Sequence, residues 1–218
     1  MKLPRLHITS GILSLIIFLI GGGELLFGQI TFTPDPDSKI WIEGRSNVNQ
    51  FSCEAGNYQG EAVLLNQAPD EIDMQANEQV KLELKIPVRS FECGRSRMNR
   101  DLYNALRSEE YLYIEFEFSN ARNITENGDV PNSYILEISG ILTVAGTSRE
   151  INFKADGYIL ENGRLRAVGK KAIMMTDYDV EPPTGLLGLV RAENELTVHF
   201  DLYASPGNNE ELSIDLTN

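Results

Sequence analysis

Histidine is nearly missing from this chain, with two in 218 residues. His7 lies in the N-terminal segment, so His199 is the one imidazole available to the rest. A zinc site built on several histidines is therefore excluded. A Ser-His-Asp arrangement would have to use this single residue. By strand alternation His199 points outward with Thr197 and Asp201, the position of a surface histidine rather than a general base. Positive charge is also scarce: 19 Lys and Arg stand against 32 Asp and Glu, for a net charge of −13. Such a chain repels phosphate backbones and anionic surfaces, so no nucleic acid partner is expected. Long apolar runs are lacking too. The most apolar stretch, residues 11–20, is shorter than the roughly 20 residues a membrane-spanning helix needs.

That stretch has another reading. Lys2 and Arg5 precede it without an acid, and Gly21-Gly22-Gly23 follows it. A basic start, a short apolar core and small residues make a secretory signal peptide. Residues 1–28 are assigned to it, with cleavage near Gly28–Gln29 or, second, at Gly23. The chain left after cleavage has no stable membrane insertion and is expected in the periplasm or secreted. Only two cysteines occur, Cys53 and Cys93. In an oxidising compartment a matched pair forms a disulfide; the alternative is two separately buried thiols. Two cysteines alone make no metal site.

What the chain has in quantity is alternation of period two. In residues 80–88, Leu82, Leu84 and Ile86 face one way and Lys81, Glu83 and Lys85 the other, which marks a half-buried strand. Residues 113–118 repeat this with Ile114, Phe116 and Phe118 inward. Residues 133–144 place Leu136, Ile138 and Leu142 on one face, and residues 151–156 alternate again. Leu196, Val198, Phe200 and Leu202 share a face in 194–203. Less regular strands are expected at 39–46, 58–65 and 164–176. Asn127-Gly128, Ala145-Gly146 and Asn162-Gly163 supply turns, the last as a tight hairpin. Met98, Leu102 and Leu106 recur every four residues within 97–108, which predicts one short amphipathic helix. About eight antiparallel strands then form either a sandwich or a closed barrel, and alternation alone leaves both open.

Three segments carry a family resemblance. Residues 101–116 (DLYNALRSEEYLYIEF) resemble the helix and following strand of YceI-like proteins. Residues 140–151 (GILTVAGTSREI) are similar to their G-x-L-T-(I/V)-x-G strand–turn–strand. Residues 42–51 (IEGRSNVNQF) resemble the start of secreted members. The resemblance spans about 32–203. It implies an all-β, lipocalin-like antiparallel barrel of about eight strands with one short helix near the mouth. It also implies export and a long apolar ligand, of isoprenoid or fatty-acyl type, in the lumen. Two features depart from the family pattern: Tyr111-Leu-Tyr113 replaces the usual proline, and the cysteine pair is not general among members.

The inward positions are the candidate ligand wall: Leu84, Ile86, Ile114, Phe116, Leu136, Ile138, Phe153, Val198 and Phe200. None carries charge, so they suit an apolar tail. A filled core is the alternative, and the resemblance favours the cavity. Met98 and Leu102 on the helix, and Met175, join the candidates; Met98, Met174 and Met175 are flexible gap-fillers that suit an adaptable pocket or, equally, plain core. The Pro/Gly-rich loop 181–190 carries Leu186, Leu187, Leu189 and Val190, which either cover the barrel mouth or pack on the end of the core; Leu186 joins the candidates. Asp177, Asp179 and Glu181 would share a face if extended and could meet calcium. They lack the rest of an EF-hand loop, so a solvated acidic loop is expected. The expected protein comprises the signal peptide, a barrel domain over 29–204 and a polar tail over 205–218. It is read as an exported carrier or storage protein, not an enzyme, with an apolar lipid as partner and homodimerisation left open. No metal or cofactor is expected. The competing reading is a protein- or glycan-binding module that uses the outer face, with Tyr111, Tyr113 and Tyr203 as contacts and no lumen ligand.

Overall fold

The computed structural model describes residues 29–65, 80–124, 132–160, 163–185 and 188–207. Residues 1–28, read above as a signal peptide, Asn127-Gly128, Asn162, Leu186 and Leu187, and most of the tail after 205 lie outside them. The strands are β1 (Gln29–Pro34), β2 (Lys39–Ser46), β3 (Gln50–Ala55), β4 (Gln59–Leu65), β5 (Val80–Pro87) and β6 (Phe91–Glu92). After helix α1 (Ser96–Ala105) come β7 (Tyr113–Asn123), β8 (Ser133–Val144), β9 (Thr147–Ile159), β10 (Leu165–Met174), β11 (Thr184–Gly185) and β12 (Val190–Pro206).

All pairings are antiparallel, and the sheet closes on itself as an eight-stranded barrel. Closure depends on β12, which is long enough to meet two strands along one edge. Its residues Ala192–Asp201 pair with β2, and Ala204–Pro206 pair with β1. Beta 1 and β2 thus act as one broken wall strand. Its break is the Asp35–Ser38 turn, held by the Ser38 amide on the Asp35 carbonyl at 3.0 Å. In the same way β3 continues into β4, and β5 into β6 through a 3-10 turn at Val88–Ser90. Because β12 runs through Pro206, the first two residues assigned to the polar tail belong to the barrel.

The alternation reading holds wherever strands are long. Leu84 pairs with Phe116 and Ile86 with Ile114 on the inner face, while Lys85 and Glu115 form an ion pair outside at 3.3 Å. The outer face is charged and the inner face apolar, the reverse of a barrel that meets lipid with its outside. Among the described residues no helix is long and apolar enough to cross a membrane. Ala145-Gly146 turns β8 into β9 with both residues at positive φ, 49° and 81°. That is the tight-hairpin geometry whose twist matches the flanking strands.

Helix α1 lies over one end. Its Leu102, Ala105 and the following Leu106 pack with Val88, Val144, Met175, Tyr178 and Val180. Polar contacts fix its start: the Cys93 amide donates to Asn99 Oδ1 at 2.8 Å, and Tyr103 Oη donates to the Phe91 carbonyl at 2.7 Å. Cys53 on β3 and Cys93 just after β6 are joined as a disulfide.

Candidate ligand cavity

The barrel encloses a cavity of about 1080 Å³, at the upper edge of the range usual for ligand pockets. Its wall is apolar because every long strand contributes its inward set. Leu84, Ile86, Ile114, Phe116, Leu136, Ile138, Phe153, Val198 and Phe200 all line it. Met98 and Leu102 reach it from α1, and buried Met175 from the 3-10 turn Met175–Tyr178. Met174 does not join them: it is the outward residue of its pair and is 39% exposed. Leu189 is also turned away, at 75% exposure, while Val190 and Pro183 line the cavity.

Glycine explains why the lumen is open although phenylalanine is so well represented on its wall. Inward Gly44 lies beside the Phe51 ring, Gly140 beside Phe116 and Gly169 beside Phe200. A Cβ on Gly169 would sit 2.5 Å from Phe200 Cζ and 2.9 Å from the Lys154 carbonyl. Each ring therefore lies against a bare stretch of backbone instead of projecting across the lumen. Phe153 meets Phe116 at 5.8 Å and Phe200 at 5.6 Å between centroids, in tilted and edge-on contacts, which are favoured over face-to-face stacking. A glycine in the interior of a strand is a sign of such close approach, and the parity of Gly44, Gly140 and Gly169 could have shown it. Phe51, Phe91 and Phe32 are further wall residues that short, weakly alternating β1, β3 and β6 concealed.

Polar groups gather at the ends and seams of the wall. Arg95, Arg97 and Asp101 on and before α1 border the cavity at the helix end. Lys171 lines it from β10, an inward cation that strand alternation in 164–176 did not single out. His199 is on the outer face as expected. Its ring stacks on Trp41 at 4.9 Å, and Nε2 lies 3.2 Å from Glu43 Oε2, off the line of a hydrogen bond. The acidic segment at 177–181 is not extended. It begins in a 3-10 turn, and Asp179 takes a left-handed conformation and accepts from Thr147 Oγ1 at 2.9 Å. Its carboxylates share no face, and among the described residues no cluster of three His, Cys, Asp or Glu could hold a metal ion.

Two of the three outer-face tyrosines have an arginine over the ring. The Arg107 guanidinium lies over Tyr111 at 4.6 Å, and those of Arg164 and Arg166 lie over Tyr203 at 5.3 and 5.1 Å. Tyr113 is 38% exposed. Arg166 also grips Asp201 with two hydrogen bonds of 2.8 Å. Those bonds hold the Asp201 carboxyl below the usual carboxylate range.

Comparison with known proteins agrees with this geometry. The sequence profile of the YceI-like domain matches residues 39–204. Among solved structures, BcnA of Burkholderia cenocepacia superposes with a TM-score of 0.56 at 19% identity, over 77% of this chain and 96% of that one. A polyisoprenoid-binding domain of Saccharophagus degradans, implicated in plant cell wall breakdown, superposes with a TM-score of 0.59 at 12% identity. That match covers 80% of this chain and 97% of the other. At these identities the likeness is one of fold. No curated protein sequence matches the chain.

Proposed function

The chain belongs to the YceI-like domain family, and we propose from this premise that it is an exported carrier or storage protein that holds a long apolar lipid, isoprenoid or fatty-acyl, in the lumen. The observation that carries this reading is the 1080 Å³ cavity walled by inward aliphatic and aromatic side chains. Each 100 Å² of ligand tail buried there contributes about 2.5 kcal/mol, so a long tail needs no polar anchor to be held. The Saccharophagus degradans relative in fold is described as polyisoprenoid-binding, which suits a lumen of this kind. Binding rather than catalysis also fits the position of His199, outside the wall with Trp41 and Glu43. The disulfide fits an oxidising compartment, which supports a periplasmic or secreted destination.

Native mass spectrometry of the exported protein, followed by organic extraction, tests the reading. The expected result is one apolar chain per barrel, released by solvent. A protein at its bare mass that also fails to take up added isoprenoids and fatty acids would refute it.

A further inference from the structure

The wall has one seam where two neighbouring strands part. Beta 9 and β10 pair from Ile159↔Leu165 to Ala155↔Gly169, and no pairing continues beyond. Beta 9 stays paired to β8 down to Thr147, and β10 to β12 up to Met174. Residues 150–154 and 170–174 therefore face each other across a stretch of wall without ladder pairing. Lys171 stands in it. Its partner on β12 is Val198, and the flanking Gly169 and Ile173 pair with Phe200 and Leu196, so Lys171 belongs to the inner face. It lines the same cavity as Ile151, Phe153 and Ile173. Its ammonium donates to the Asn152 carbonyl at 2.8 Å, its one hydrogen bond among the described residues.

An ammonium carries three donors and a full charge, whereas capping one strand carbonyl needs one neutral donor. The inward neighbours are hydrocarbon and offer nothing to the other two. The carboxylates of β9, Glu150 and Asp156, are exposed on the outer face, as are Lys154 and Lys170, whose charges add to that of Lys171. An apolar lumen with a cation at an unpaired, solvent-facing seam of its wall matches an amphiphile whose tail lies inside and whose head is anionic. We propose that Lys171 is the head-group site: the lumen ligand is a long-chain carboxylate or phosphate, its anion paired with Lys171 at the β9–β10 seam. This inference rests on the lumen reading above and specifies the ligand class within it.

Isothermal titration of the full exported chain with tail-matched pairs tests it. The probes are oleate against oleyl alcohol, and geranylgeranyl monophosphate against geranylgeraniol. The anion of at least one pair should bind on the order of tenfold more tightly than its alcohol, the scale of one charge-assisted contact. Lys171→Met should abolish that preference, read as the ratio of anion to alcohol affinity within the variant; Lys171→Arg should keep it. The pair that shows the preference tells carboxylate from phosphate. Equal binding of anion and alcohol in both pairs, or a preference that survives Lys171→Met, would overturn the head-group site while leaving the lumen standing. Failure of all four ligands to bind would overturn both.

Discussion

Two seams of the wall meet the same difficulty in opposite ways. At the β3–β6 seam only Ala55↔Phe91 and Glu54↔Glu92 pair. There the closure is covalent and dry: the Cys53–Cys93 bond lies beside the short ladder, Cys53 is 1% exposed and Phe91 2%. At the β9–β10 seam the ladder is longer, but beyond Gly169 one lysine bridges the gap. The difference follows from what covers each. Alpha 1 lies over the first, so unpaired backbone there would be buried without water and costly. The second faces solvent through exposed Asn152 and Ala172, where water can satisfy what Lys171 does not. One seam is locked, and the other is held by a group that can let go.

The largest effect is expected where the lock is covalent. Replacing both cysteines with alanine should lower stability by about 2–4 kcal/mol, read from denaturant melts of oxidised wild type and the double variant. A loss of a few tenths would mean that Phe91 burial and the Tyr103 hydrogen bonds hold the β3–β6 seam unaided. Next comes Gly169→Ala, at the last pair of the β9–β10 ladder. Its Cβ would press on the Phe200 ring and on the Lys154 carbonyl. A cost of about 1–3 kcal/mol is expected, together with faster exchange of the β9 amides near Ala155 as the strands are pushed apart. In the wild type itself, the Asn152 and Ala172 amides should exchange faster than those of Asp156 and Val168 by an order of magnitude or more. Equal protection along the whole seam would erase the contrast with β3–β6.

Much of the wall could be read from the chain because alternation reports faces directly. Leu84, Ile86, Ile114 and Phe116 were legible since charged neighbours at Lys85 and Glu115 fix the parity on both sides. Whether those faces enclose a space was not legible from parity, because it depends on phenylalanine rings packing against Gly44, Gly140 and Gly169. Nor was the parting of β9 from β10, since hydrogen bonds lost between strands leave no mark in either strand's own pattern. Lys171, second of a Lys-Lys doublet, reads as a solvated residue until its pairing with Val198 is known. The 3-10 turn at Met175–Tyr178 was missed for a related reason: Asp177-Tyr-Asp fits an extended strand as well as a turn until Met175 and Tyr178 are seen buried together.

The paired half of the open seam has its own fastening, and this sets the smallest prediction. The Arg166 guanidinium lies over Tyr158 of β9 at 5.7 Å while it grips Asp201 of β12, so one side chain spans three strands on the outer face. The hydrogen bonds from Arg166 lower the Asp201 pKa in the folded protein. A lowered carboxyl contributes stability that is complete above its unfolded value, near 4. That contribution disappears as pH falls through the lower folded value, where Asp201 takes a proton in both states. Asp201→Asn should therefore cost no more than about 1 kcal/mol at pH 7, given the partial exposure of the pair. The difference from wild type should shrink in melts run on the acid side of the ordinary carboxylate range. If it stays constant with pH, the fastening is the packing of the guanidinium against Tyr158 and Tyr203 rather than the ion pair, and the paired half of the seam is zipped by stacking alone.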